Sequence, residues 1–218
     1  MEKSLYSLIL SDDVVKRIDE IARSKNTNRS NLVNQILADY VSYVTPEKKI
    51  CGIFNSIAQM LNNDIFTAFF DDNNTTMSLK SSLDYKYRPT IKYEVELFRS
   101  SKETIGELKV IFRTQSASLL MELNSFFKLW ARLESIYLSP YYPAHASITY
   151  NLEAGRFYRA FRMPLGKSYS DESIARAISN YIKMFDEILK GYLSNKYQSA
   201  CDIEDRYLQY LNSGIVII

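Results

Sequence analysis

Histidine is all but missing from this chain. One residue in 218, His145, carries an imidazole, so no site built from several histidine ligands can exist. Cysteine is nearly as scarce: Cys51 and Cys201 lie far apart, fit no metal or redox spacing, and point to a reducing, intracellular setting. The 6 glycines contain neither G-x-G-x-x-G nor G-x-x-x-x-G-K, which excludes the loops that cradle phosphates through their backbone amides. No nucleophile elbow or acid–base pair stands out. No apolar run approaches the ~20 residues of a membrane helix; the final "GIVII" is far too short, and the charged start "MEKS" lacks the apolar stretch of a signal peptide. Neither sign of charge prevails, with 27 Lys and Arg against 25 Asp and Glu, so no global basic excess advertises nucleic acid. The expectation is a cytoplasmic non-enzyme with no cofactor, no metal site and no membrane partner.

Aromatic residues are plentiful, with 17 Tyr and 11 Phe against one Trp. Tyrosine in such numbers suits half-buried strands and interaction surfaces. The first 45 residues form a distinct unit. "SLYSLILS" (4–11) alternates as a strand does, yet no hairpin turn or second strand follows. Ser11 reads as a helix N-cap with Asp12 and Asp13 in the first turn, where acids complement the helix dipole. Val14, Val15, Ile18, Ile21 and Ala22 then recur with helical spacing, and Asn26 can close that helix in the left-handed conformation. Asn28 caps a second helix, "RSNLVNQILADYVSYV" (29–44), with a stripe at Leu32, Val33, Ile36, Leu37, Tyr40, Val41 and Val44. Pro46 closes the unit. Forty-five residues cannot bury their own apolar faces, and a lone strand leaves its backbone groups unpaired. Both problems vanish if two copies associate about a two-fold axis, with the strands forming an antiparallel ribbon over a shared core.

"LILSDDVVKRIDEIARSKNTNRSNLVNQILADY" (8–40) resembles the ribbon-helix-helix DNA-binding domain of MetJ/Arc-class repressors. The likeness covers about a fifth of the chain. It implies an intertwined dimer whose ribbon enters the major groove while the start of the second helix holds a phosphate. On this sequence, Leu5, Ser7 and Ile9 would face the groove. Asn28, Arg29 and Ser30 would bind phosphate, with Lys3, Lys16, Arg17, Arg23 and Lys25 as supporting cations. Tyr6, Leu8, Leu10, Ile18, Ile21, Leu32, Ile36 and Leu37 would form the dimer core. Two features depart from the family's pattern. Leu5 and Ile9 carry no hydrogen-bonding groups to read base edges and could touch only thymine methyls. Residues 1–45 also hold six basic and six acidic side chains, for no net charge. Three readings stay open: DNA recognition through phosphates, methyls and DNA shape; a dimerisation module that has lost DNA; and a strand register shifted by one, which would expose Tyr6. A nickel-responsive repressor of this type is excluded by the missing histidines.

"TPEKKI" shifts from apolar stripe to charge, so residues 46–50 are the expected linker and 51–218 an α+β domain. A helix carries Ile53, Ile57, Met60, Leu61 and Ile65, with Phe66, Phe69 and Phe70 near its end; "DDNNTT" (71–76) reads as a solvated loop. "SSLDYKY" (81–87), "IKYEVELF" (91–98) and "ELKVIFR" (107–113) read as strands, the last two joined by the hairpin loop "SSKETIG" (100–106). A long helix over Leu119 to Leu133 stops at "SPYYP", and His145 falls in the loop after it, where a surface histidine is expected. "SITYNL" and "RFYRAFRM" are two more strands around a turn at 153–155. Helices capped by Ser170 and covering 203–211 finish the chain.

Helices on one face of an antiparallel sheet is the expected architecture, and its element order is similar to that of type III secretion chaperones. "GRFYRAFR" places Arg156 and Arg162 on one strand face and Arg159 on the other. Such a group could serve an anionic ligand, or its arginines could pair with surface carboxylates. The functional expectation is a homodimer or higher oligomer that binds double-stranded DNA as a transcriptional regulator. The C-terminal domain is left for oligomerisation or for sensing a protein or small-molecule effector. The competing expectation is a non-enzymatic scaffold dimer, in which the ribbon-helix-helix unit serves only dimerisation.

Overall fold

A computed structural model describes residues 5–61, 65–70, 75–83, 89–99, 103–143, 147–153 and 155–218. Three helices precede a six-stranded sheet: α1 (Asp12–Ser24), α2 (Arg29–Tyr40) and α3 (Pro46–Leu61). Next come β1 (Thr67–Phe70), β2 (Thr76–Ser82), β3 (Thr90–Leu97), β4 (Thr104–Phe112), α4 (Ala117–Tyr137), β5 (Tyr150–Glu153), β6 (Arg156–Arg162), α5 (Asp171–Leu193) and α6 (Ala200–Asn212). The sheet is antiparallel throughout, in the order β1-β2-β3-β4-β6-β5. This is an α+β protein.

One face of the sheet is buried and the other is open. On β3, Ile91, Tyr93, Val95 and Leu97 are buried, while Thr90 and Glu96 are exposed, the alternation of a half-covered strand. The buried face meets α5, which is buried almost all round, with α3, α4 and α6 packed about it. Phe185 of α5 is the hub. Rings from the sheet (Tyr93, Phe157) and from α4 (Phe126, Phe127, Trp130) lie 4.9–6.1 Å from it, mostly edge-on or stacked as aromatic quadrupoles favour.

Two buried polar groups tie this core together. Arg159, on the buried face of β6, forms a two-pronged bond to Glu134 of α4 at 3.2 and 3.3 Å. Tyr181 donates to the same carboxylate, and Trp130 Nε1 donates to the Tyr181 hydroxyl. Burial opposes the Arg159 charge, but the Glu134 carboxylate outweighs it and holds the guanidinium above its usual pKa. Nearby, Tyr93 donates to Asp186, which also pairs with Lys190 at 2.7 Å, and Lys190 reaches Ser81 of β2.

Several sequence expectations change. Residues 46–50, expected as a linker, are the first turn of α3, because Thr45 Oγ1 accepts from the Lys48 amide and Pro46 presets φ at N1. The following helix ends at Leu61. Phe66 to Phe70 are extended instead, with Phe70 opposite Met77 toward the core and Phe69 opposite Ser78 on the open face; aromatic and β-branched side chains fit a pleated surface better than a helix end. The second strand starts at Thr76, within the expected 71–76 loop, of which 71–74 lie outside the described residues. Thr104 to Gly106, expected as hairpin loop, belong to β4. Gly106 sits at a register shift where an added Cβ would lie 2.2 Å from the Glu96 carbonyl oxygen, so only glycine fits there. Arg156 and Arg162 share a face opposite Arg159, but the Arg159 carboxylate partner is in the core rather than on the sheet surface.

Replacing Glu134 by alanine strands a buried guanidinium and is expected to cost about 3–5 kcal/mol. Urea unfolding measures this, with Arg156→Ala on the open face as a control staying within about 0.5 kcal/mol of wild type.

Candidate nucleic-acid interface

The N-terminal unit is built from helix ends. Ser11 has the extended backbone of an N-cap but makes no side-chain capping bond, so the start of α1 relies on Asp12 and Asp13. At its other end, Asn26 takes a left-handed φ of 49°, and the Thr27 amide bonds back to the Ala22 carbonyl. This reversal sets α2 beside α1. Asn28 Oδ1 accepts from the Asn31 amide at 2.9 Å, satisfying one of the donors that every helix start leaves free.

The second helix is shorter than expected. Ser42 adopts φ 55° and the Tyr43 amide bonds to the Ala38 carbonyl, so α2 stops at Tyr40 and Val41 and Val44 lie beyond it. The chain then turns directly into α3, where Lys48 pairs with Asp39 at 2.8 Å.

Of the predicted dimer-core residues, one protomer buries only Leu32; Ile18 and Ile21 are half-buried. Tyr6, Leu8, Leu10, Ile36 and Leu37 are exposed. The other buried residues of the pair are Ala22, part of the apolar stripe of α1, and Ala38, a small side chain that the stripe of α2 did not include. Residues 5–11 belong to no helix or strand and pair with no strand among the described residues. The predicted groove-facing residues Leu5 and Ile9 are 101% and 102% exposed, and Ser7 is exposed as well. An intertwined ribbon is therefore not part of the single chain.

The predicted phosphate ligands lie together at the start of α2, but the charge there is already engaged. Asp19 of α1 holds the Arg29 guanidinium through two bonds of 2.6 and 2.8 Å. That contact lowers the Asp19 pKa and raises that of Arg29. Ser30 is exposed. Of the supporting cations, Arg17 pairs with Glu20 at 2.8 Å, while Lys16, Arg23 and Lys25 are exposed. Lys3 lies outside the described residues, as does His145.

The described residues contain no cluster of three or more His, Cys, Asp or Glu able to hold a metal, and neither Cys51 nor Cys201 forms a disulfide. A cavity of about 740 Å³ lies between α5, α6 and the start of β1. Its acids are paired with neighbouring cations, Asp186 with Lys190 and Glu187 with Arg206. Among the described residues, no helix is long and apolar enough to cross a membrane.

No known protein family, curated protein or solved structure matches the chain.

The Asn28 cap gives a direct check on the unit. Asn28→Ala is expected to lower stability by about 1 kcal/mol and Asn28→Asp to leave it nearly unchanged, read from urea unfolding of the full chain.

Proposed function

We propose that this protein is a homodimeric DNA-binding protein acting as a transcriptional regulator. Its N-terminal ribbon-helix-helix unit closes only when two chains meet. The observation that carries this reading is the uncovered apolar set of residues 5–11 and α2, above all Tyr6, Leu8, Leu10, Ile36 and Leu37. A chain in water gains by covering such a surface, and a segment outside any helix or sheet gains by pairing its backbone groups. Two copies of "LYSLILS" in antiparallel register satisfy both needs and present Leu5, Ser7 and Ile9 on the outer face. A ribbon of that width fits the major groove.

The start of α2 then supplies the phosphate contact. The Arg29 and Ser30 amides precede the first intrahelical bonds and carry the positive end of the helix dipole. Arg29, tethered to α1 by Asp19, stands beside them. Because the unit has no net charge, affinity rests on these placed contacts and on DNA shape rather than on a broad basic field.

Sedimentation should find a dimer for the full chain and a monomer after Leu8→Asp with Ile36→Asp. A random-sequence duplex should bind at low salt, more weakly after Arg29→Ala with Ser30→Ala, and with a salt slope smaller by about 0.9 for each phosphate no longer neutralised. Asp19→Asn removes an acid from the phosphate site and should strengthen binding. A monomeric wild type, or duplex affinity indifferent to the Arg29 and Ser30 changes, would sink this reading.

The full exposure of Leu5 and Ile9 favours a second reading, in which the apolar outer face of the ribbon docks a protein. On that account Leu5→Lys with Ile9→Lys leaves duplex affinity unchanged or raises it, whereas a ribbon seated on thymine methyls loses discrimination between sequences.

A further inference from the structure

The open face of the sheet is not evenly charged. Lys80 of β2 stands directly opposite Lys92 of β3, and like charges so placed destabilise a sheet. The same line across the strands continues through Ile111 of β4 to Arg156 of β6, about 14 Å in all at the usual strand spacing. Lys109 lies one position along, and Arg113 just past the end of β4. Together these side chains line an open groove of about 710 Å³.

Five cations there face one carboxylate. Glu94 is shared between Lys92 at 2.6 Å and Lys109 at 3.7 Å. Among the described residues Lys80, Arg113 and Arg156 have no ion-pair partner. Glu153, the neighbour of Arg156 in register, is engaged by the Tyr158 hydroxyl and the Asn151 amide instead. Two further acids, Glu96 and Glu107, stand directly opposite each other toward the other end of this face.

Two aromatic rings share the face with the cations. Phe69 is 51% exposed, with the Lys80 ammonium 5.1 Å from its ring centre. Tyr158 is half-exposed, with the Lys109 ammonium at 5.3 Å.

We propose that this end of the open sheet face binds single-stranded nucleic acid. Its phosphates would lie along Lys80, Lys92, Arg156 and Arg113, with bases stacked on Tyr158 and Phe69. The repulsion between Lys80 and Lys92 is relieved by a phosphate between them, which gives the like-charge pairing a purpose. An open groove on a flat sheet suits a polymer that runs across it. Rings interleaved with cations suit unpaired bases, since every base offers a face for stacking, whereas a duplex keeps those faces covered. The Glu96–Glu107 pair repels the backbone and keeps it toward the line from Lys80 to Arg156. The site uses no residue of the N-terminal unit and stands independently of the reading above.

Fluorescence anisotropy of the full chain with a labelled oligothymidylate tests the idea, with random-sequence duplex and ATP as parallel arms. Low-salt binding to the single strand is expected. Lys80→Glu with Arg156→Glu should weaken it about 10-fold or more and reduce the salt slope by about 0.7 for each phosphate no longer neutralised. Tyr158→Ala should weaken it about 10-fold and Tyr158→Phe should not, because the ring does the stacking. All three positions are at the surface, and an unchanged urea midpoint excludes misfolding as the cause. Arg29→Ala with Ser30→Ala should leave single-strand affinity intact while lowering duplex affinity, which separates this site from the N-terminal one. Absence of single-strand binding overturns the proposal, as does binding indifferent to the sheet variants, binding abolished by the α2 variant, or ATP held as tightly as the oligonucleotide.

Discussion

Packing of one sheet face onto α5 is the constraint from which the rest of the molecule follows. Phe185 can sit among rings from β3, β6 and α4 only if all the helices that cover the sheet lie on the same side. That arrangement leaves a second face of six strands in contact with water. The Arg159–Glu134 pair, buried between β6 and α4, fixes the register of the layers more sharply than apolar contact can. A one-residue slip of β6 would expose Arg159 and carry Arg156 into the core beside no carboxylate.

The two proposed interfaces are the two surfaces that this core leaves over. The N-terminal unit contributes little to the core: α1 and α2 contact one another and then hand the chain to α3 through Thr45 and Pro46. Most of its apolar residues face outward, a condition that the proposed dimer would resolve. The open sheet face is the reverse, a polar surface with like charges in register, Lys80 opposite Lys92 and Glu96 opposite Glu107. One surface calls for burial and the other for a counter-charge, so the two proposals invoke different partners.

Much of the fold can be read from local pattern. Capping residues mark the helix starts: Asn28, Ser116, Ser170 and Ser199 each accept a backbone amide as their place before an apolar stripe requires. Asn26 is legible as the end of α1, and alternation gives β3 and β4 their buried faces. Local pattern fails where neighbouring elements decide. The stretch after Leu61 has apolar residues compatible with either a helix end or an edge strand, and only the partner strand β2 settles it. The end of α2 is hidden because Val41 and Val44 extend its stripe in sequence, while the left-handed Ser42 breaks it in space. The basic groove on the open face cannot be seen in the sequence because Lys80, Lys92, Lys109 and Arg156 are scattered over four strands.

By itself the sequence determined the main helices, the caps at Asn28 and Ser170, the buried sides of β3 and β4, and an apolar N-terminal segment that finds no partner strand among the described residues. These follow from period and from the chemistry of single residues, which act over a few positions. Only the tertiary structure decided which strands are neighbours, that Arg159 meets Glu134 in the core, and that like charges face each other across β2 and β3. Such facts depend on contacts between residues far apart in the chain, and no local periodicity encodes them.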